Sequence, residues 1–282
     1  MQAPRTVSSP SDRALQAARN ASMRAGGSAA IRLQFIARTS PDDPPPLMAE
    51  LLRGGRGGEV RLKLYLSLLW FGRNIPDLRV AYPAQSWAEL LDLPNPAAAG
   101  ARRIQEALRW LEKKNLVRLE RRPGEATAIH LLDDAGSGEP YEPAGLAVNR
   151  LRGHPDQSRH LYVQLPSSFW TSGWICVLSG AAVAMYLAVL HGQGPAGDSR
   201  QVWFSPDIAR SRFDLSDDTR SKGLTELTRA GLISTSRRPV GLGPFDDNRY
   251  RNVYTINFAT LSQHATVPPP PSRRPAIEAA FS

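Results

Sequence analysis

The segment Leu224-Thr225-Glu226-Leu227-Thr228-Arg229-Ala230-Gly231-Leu232-Ile233 repeats the pattern of Leu108-Arg109-Trp110-Leu111-Glu112-Lys113-Lys114-Asn115-Leu116-Val117 at an offset of 116 residues. At the same offset Arg121-Arg122-Pro123 falls on Arg237-Arg238-Pro239. Upstream, Tyr65-Leu66-Ser67-Leu68-Leu69 answers Tyr186-Leu187-Ala188-Val189-Leu190, and Val80-Ala81-Tyr82 answers Val202-Trp203-Phe204, at offsets of 121 and 122. Self-similarity in fixed order implies two copies of one supersecondary plan, with a longer connection before the third helix of the first copy.

Each copy reads element by element. In the first, Leu62, Leu66, Leu69 and Trp70 recur at helical spacing, which predicts a helix over 60–72. A short strand over 79–82 follows. Ser86 with Glu89 three residues on is a capping-box pattern that predicts a brief helix over 87–91. Asn95-Pro96 opens a longer helix to Lys114, with Ile104, Ala107, Leu108 and Leu111 on its inner face and Asn115 ending it in a left-handed conformation. Strands over 117–121 and 127–132 alternate around Pro123-Gly124-Glu125. The second copy predicts a helix over 180–191, a strand over 201–204, a helix over 206–212 capped by Ser205, a helix over 217–230 capped by Ser216, a stop at Gly231, and strands over 232–237 and 249–257.

Helix, short strand, helix, turn, helix and basic two-stranded hairpin resembles the winged helix-turn-helix plan in both copies. The likeness is carried by Leu108-x-x-Leu111-x4-Leu116-Val117 and Leu224-x-x-Leu227-x3-Gly231-Leu232-Ile233, together with the helix entry Ser216-x-x-Thr219. The first copy departs from the family pattern in having Asn115 where glycine is usual and Ala97-Ala98-Ala99 in place of a Ser/Thr entry. The resemblance implies a mainly α fold with small β-hairpins (α+β), two winged-helix domains in tandem with disordered N- and C-terminal tails. A tandem layout on one chain is similar to plasmid replication initiators and to winged-helix transcriptional regulators.

In such a fold the third helix enters the major groove and the hairpin follows the sugar–phosphate backbone. Positive charge accumulates in both stretches, with an excess of five over residues 102–122 and of four over 219–251. Arg102 and Arg103 stand early enough in the first helix to meet guanine edges, Gln105 suits adenine, and Arg109 follows on the same helix. The first hairpin offers Arg118, Arg121 and Arg122. In the second copy Arg220 falls on an inward position, which leaves Thr219, Ser221 and Lys222 for base contact and Arg237, Arg238, Arg249 and Arg251 for the hairpin. On charge alone the first copy is the stronger reader and the second has the richer wing. Trp70, Trp87, Trp170, Trp174 and Trp203 sit in apolar surroundings and are expected in the core.

The remaining composition bounds the reading. A chain of 282 residues with 41% hydrophobic residues can bury a core, and a formal charge of +9 favours a polyanionic partner. The division expected is a flexible basic arm over 1–58 with a short helix near Asp12–Ser22, a first domain over 59–135, a linker over 136–160, a second domain over 161–262 and a Pro-rich tail over 263–282. Arg53-Gly54-Gly55-Arg56-Gly57-Gly58 resembles a single-strand-binding segment and reads more simply as flexible linker. The apolar run from Trp174 to Leu190 is broken by Ser179-Gly180 and is too short for a membrane span. Cys176 stands alone, the five histidines lie in no ligand spacing, and no phosphate-binding G-x-x-x-x-G-K loop occurs. The expectation is a cytoplasmic protein that is no enzyme, uses no metal or cofactor, and binds double-stranded DNA. The competing expectation is a protein-interaction scaffold whose winged helices have lost DNA binding and whose apolar and aromatic surface supports a homodimer. It draws on the modest charge of the copies, +3 over 60–135 and +2 over 173–260.

Overall fold

The computed structural model describes residues 7–54, 57–134, 137–194, 201–239 and 250–269. Ser11 caps helix α1 (Asp12–Ala25) by accepting from the Ala14 amide at 3.2 Å, and its own amide and hydroxyl bind the Asp92 carboxylate at 2.8 and 2.6 Å. Strand β1 (Ala29–Arg32), helix α2 (Leu33–Ile36) and helix α3 (Leu47–Leu52) follow. Ala14, Leu15, Ala18, Ala29, Ile31, Phe35, Ile36, Met48 and Leu51 are buried. The expected flexible arm over 1–58 is therefore folded onto the rest of the chain across its described residues from Ser11 on. Its Ala- and Arg-rich composition conceals a one-sided apolar face.

The first copy consists of α4 (Gly58–Phe71), β2 (Arg79–Ala81), α5 (Ala84–Leu90), α6 (Ala101–Lys113), β3 (Val117–Glu120) and β4 (Ala128–Leu131), paired antiparallel in the order β2-β4-β3. Thirteen of α4's fourteen residues are buried, Arg61, Lys63 and Ser67 among them, so this helix is enclosed all round because it is central. A π-helical turn, Pro96–Gly100, leads into α6, and Asn115 closes it with φ 55°. The capping box expected at Ser86 and Glu89 is absent. Pro83 precedes α5, Ser86 lies inside it, and Glu89 accepts from Gln85 instead. The proline starts the helix three residues early because its fixed φ suits the entry.

The expected linker is also structured. Across its described residues it carries helix α7 (Ala144–Arg150) and a 3-10 turn, Pro155–His160, before β5 (Tyr162–Leu165) pairs antiparallel with β1. Arg32, 1% exposed, closes this junction. Its guanidinium meets the Asp134 carboxylate at 2.5 Å, the Glu142 carbonyl at 2.5 Å and His160 Nδ1 at 3.3 Å. Burial pushes the Asp134 carboxyl up to about 6 against the opposing pull of Arg32.

Short helices α8 (Ser168–Thr171) and α9 (Trp174–Val177) lead to the second copy. It contains α10 (Gly180–Gln193), α11 (Pro206–Phe213), α12 (Asp217–Arg229), β6 (Ile233–Pro239) and β7 (Tyr250–Ile256), and a short helix α13 (Phe258–Leu261) follows. Ser179, Ser205 and Ser216 each cap the helix behind them, and Gly231 adopts φ 70°. The strand expected over 201–204 is reduced to a single bridge, Val202 with Tyr254. That bridge corresponds to the β2–β4 pairing of the first copy. The Pro-rich tail is anchored at its start, where Val267 pairs with Ser8 and Ala265 is buried. Residues 270–282 lie outside the described residues.

The two copies share one core. Trp70 of α4 stacks on Trp170 with ring centroids 4.5 Å apart, and the Trp170 indole donates to Ser67 Oγ at 3.0 Å. Glu59, in the first turn of α4, accepts from the Gly180 amide at 3.1 Å, which ties the starts of α4 and α10 together. Buried residues from α1 to the chain's last described segment form a single hydrophobic cluster. Fold class is thus α+β with small antiparallel sheets. No helix among the described residues is long and apolar enough to cross a membrane.

Candidate nucleic-acid interface

In each copy the third helix lies with one face inward and one exposed. Ile104, Ala107, Leu108 and Leu111 fasten α6, while Arg102, Gln105 and Arg109 are exposed at i, i+3 and i+7 and share the outward stripe with Glu106 and Lys113. Arg103 does not join them. It is half-buried on the flank facing α4, beside Arg61 and Trp110. The helical period explains this, because adjacent residues stand about 100° apart.

The first hairpin is largely neutralised. Arg121 pairs with Glu112 at 2.7 Å and Arg122 with Glu120 at 2.6 Å. Glu120 also meets His130 Nε2 at 3.2 Å and Arg79 at 3.4 Å. The His130 hydrogen bond, with the Arg122 and Arg79 charges, holds the Glu120 carboxyl below its usual range. Arg118 is exposed, opposite His130 in the ladder, and makes no ion pair among the described residues. Counting charge along the sequence ranked the first copy as the stronger reader. For the hairpin it ranked the second copy richer, and the ion pairs widen that difference, because the acids of the first hairpin stand against its arginines.

The second hairpin differs. Six of β6's seven residues are exposed. Arg237 lies opposite Asn252, and Arg238 lies directly opposite Arg251. Neither Arg237, Arg238 nor Arg251 pairs with an acid among the described residues. Like charges facing each other across a ladder repel, so Arg238 and Arg251 destabilise each other unless an opposite charge lies between them. The Arg251 guanidinium rests 4.8 Å from the Trp203 ring centroid, and Trp203 is 39% exposed. Trp203 is therefore no core residue. Trp70, Trp87, Trp170 and Trp174 are buried as expected. The alternation through Val202-Trp203-Phe204, with Phe204 buried, was the sequence signal that could have placed Trp203 outside.

On α12, Ser221 and Lys222 are exposed, though Lys222 pairs with Asp218 at 2.8 Å. Thr219 is half-buried and belongs to the cap, its amide donating to Ser216 Oγ at 3.2 Å. Arg220 folds back on Asp217 at 2.6 Å, in keeping with the inward position read from the repeat. Glu226 is turned inward, where it accepts from the Ser179 amide and hydroxyl at 2.8 and 2.6 Å and so locks α12 to the start of α10. Gly223 makes that packing close: a Cβ there would stand 2.4 Å from the Ala181 carbonyl oxygen. Arg249 lies outside the described residues.

The Cys176 thiol donates to the Leu90 carbonyl at 3.4 Å, and burial pushes it up to about 12, which leaves no thiolate near neutral pH. Among the described residues no three His, Cys, Asp or Glu side chains cluster as a metal site would require. The chain matches no family model, no curated protein sequence and no solved structure.

Proposed function

We propose that this chain is a sequence-specific double-stranded DNA-binding protein with two winged-helix modules, acting as a transcriptional regulator or as a replication initiator. The observation that carries the reading is the β6–β7 ribbon, where Arg238 faces Arg251 across the ladder and Arg237 adds a third charge with no acid partner among the described residues. A phosphate between the facing guanidiniums converts their repulsion into two charge-assisted hydrogen bonds. Trp203 holds Arg251 in position from the ring side. On the first module, Arg102, Gln105 and Arg109 form the exposed stripe from which bases are read. Ser221 and Lys222 do the same on α12, with Lys222 exchanging Asp218 for the duplex.

Because α4 and α10 share a core, the modules present their helices at one fixed separation. Binding then selects half-site spacing as well as half-site sequence. Fluorescence polarisation of a labelled duplex across a salt series tests the reading. Affinity should fall steeply with ionic strength, and affinity indifferent to salt contradicts phosphate neutralisation. Selection from randomised duplex should recover a recurrent motif, and recovery of none removes the sequence-specific part.

One observation favours the scaffold alternative for the first module. Glu112 and Glu120 occupy Arg121, Arg122 and Arg79, as they would on a surface that meets protein. Among the described residues the aromatic side chains that a homodimer was expected to use are mostly internal, and the large aromatics exposed are Trp203, Tyr250 and Phe258.

A further inference from the structure

The Arg-Gly-Gly-Arg-Gly-Gly run at 53–58 reads from the sequence as flexible linker, and its Gly55 and Arg56 lie outside the described residues. Its end leads into α4, a fourteen-residue helix whose N-cap, Gly57, offers no side chain to the opening amides. Gly58 is required by close approach, since a Cβ there would lie 2.2 Å from the Leu52 carbonyl oxygen. One turn into the helix stands Arg61, only 7% exposed. No carboxylate pairs with it among the described residues. One terminal nitrogen donates to the Arg53 carbonyl, the guanidinium lies 4.5 Å from the Trp110 ring centroid, and Nε has no hydrogen-bond partner. A buried guanidinium without a counter-ion is costly, and removal from water lowers the Arg61 pKa accordingly.

These groups border a concavity of about 300 Å³ between α4 and α6, lined by Gly54, Gly57, Arg61, Arg103, Glu106 and Trp110 among others. Arg103, which the repeat suggested for base reading, is one of its walls. Glu106 is the only acid in the lining, and it is exposed. Glu59, the acid in α4's first turn, holds Lys63 at 2.7 Å with one oxygen and the Gly180 amide with the other, and the nearby Arg103 charge also helps to hold its carboxyl below the usual range.

We propose that this concavity is a phosphate site, with Arg61 and Arg103 supplying charge-assisted donors from the sides and the uncapped start of α4 supplying amides and the positive end of its dipole. Gly57 and Gly58 at the helix start suit this ligand because backbone without a side chain lets an anion come close. The shared chemistry is a phosphate group, whether a duplex phosphodiester beside α6 or a free phosphate compound. The proposal does not rest on the DNA reading.

The test is titration of the full chain with inorganic phosphate by calorimetry, at ionic strength held constant with sodium chloride, alongside thermal melts. Saturable binding is expected, weakened about tenfold or more in Arg103→Gln and in Arg61→Gln. General stabilisation by excluded anions rises without saturating and is shared by the variants, so the difference between proteins reads the site. No saturable binding, or equal binding in the variants, overturns the proposal. If Arg61→Gln does not fold, Arg103→Gln decides alone, because Arg103 is half-buried on the wall of the concavity and less enclosed than Arg61. Competition separates the sources. Phosphate that weakens duplex binding in the wild type but not in Arg103→Gln supports a backbone phosphodiester, and phosphate that binds without disturbing the duplex supports a free compound. A chain that binds phosphate but no duplex retains the site and loses only the DNA reading.

Discussion

Replacing Arg237 and Arg238 together by alanine separates the two hairpins on a measurable scale. Both side chains are exposed on β6, and neither has an acid to release before it meets a phosphate among the described residues. For B-DNA the logarithm of affinity falls against the logarithm of salt with a slope of about −0.9 per phosphate neutralised. Losing two contacts should flatten the slope by about 1.8, which over a fourfold rise in salt, from about 50 to about 200 mM, amounts to about a twelvefold smaller loss of affinity. The matched first-hairpin pair, Arg121→Ala with Arg122→Ala, should flatten it by less than half as much. Arg121 and Arg122 must leave Glu112 and Glu120 to reach phosphate, and those carboxylates then repel the same duplex. Fluorescence anisotropy of a mixed-sequence labelled duplex across that salt range provides the slopes, with thermal melts confirming that both variants fold. Equal slope changes in the two variants, or no change in the second-hairpin variant, would refute the assignment of charge made from the ion pairs.

Further outcomes follow from the packing. Gly223→Ala should cost about 1–3 kcal/mol in urea unfolding, because its methyl group meets backbone at Ala181 that cannot swing aside; an unchanged midpoint would show that α12 does not lie so close to α10. Trp203→Ala should leave stability within about 0.5 kcal/mol while weakening duplex binding through Arg251, and a large stability loss would return Trp203 to the core. Five base pairs inserted between half-sites should abolish two-module binding, since half a helical turn moves one half-site to the far side of the duplex; undiminished affinity would mean that the modules move independently. Burial, with Arg212 nearby, pushes the His191 imidazole down to about 4, whereas the unfolded chain protonates near 6.5. Unfolding therefore takes up a proton between those values. The stability present above about pH 6.5 is lost as pH falls toward 4, by up to about 3 kcal/mol. Urea midpoints of His191→Gln should fall less over that range than those of the wild type, and parallel curves would contradict the burial.

The repeat made the local structure legible wherever neighbours in sequence decide it. Ser205 and Ser216 cap their helices because a hydroxyl reaches an amide three residues on, and Asn115 and Gly231 accept the left-handed turn because of what they are. The apolar run of α10 identified a buried helix by composition, whereas the spacing in α4 fitted an amphipathic helix as well as a buried one, because Glu59, Arg61 and Lys63 interrupt it. Ser86 misled because a serine–glutamate spacing is necessary for a capping box and not sufficient, and Pro83 supplied an earlier start. Charge density along the chain was legible too, but net charge in a window says nothing of who holds whom. Ion pairs such as Arg79 with Glu120, 41 residues apart, exist only once strands are in register.

What sequence alone determined is the pair of tri-helical units with their hairpins, since helix period, caps and stops act over a few residues. Tertiary structure decided the rest. It decided that the arm and linker are folded parts held by Ser11 on Asp92 and by Arg32 on Asp134, that Trp203 faces outward, and that the first hairpin's Arg121 and Arg122 are paired with acids while Arg237, Arg238 and Arg251 have no acid partner among the described residues. The anchors of arm and linker join groups 81 and 102 positions apart, and a distance of that kind has no value until the core has closed around α4 and α10, while the ribbon pairs exist only once the hairpin strands are in register.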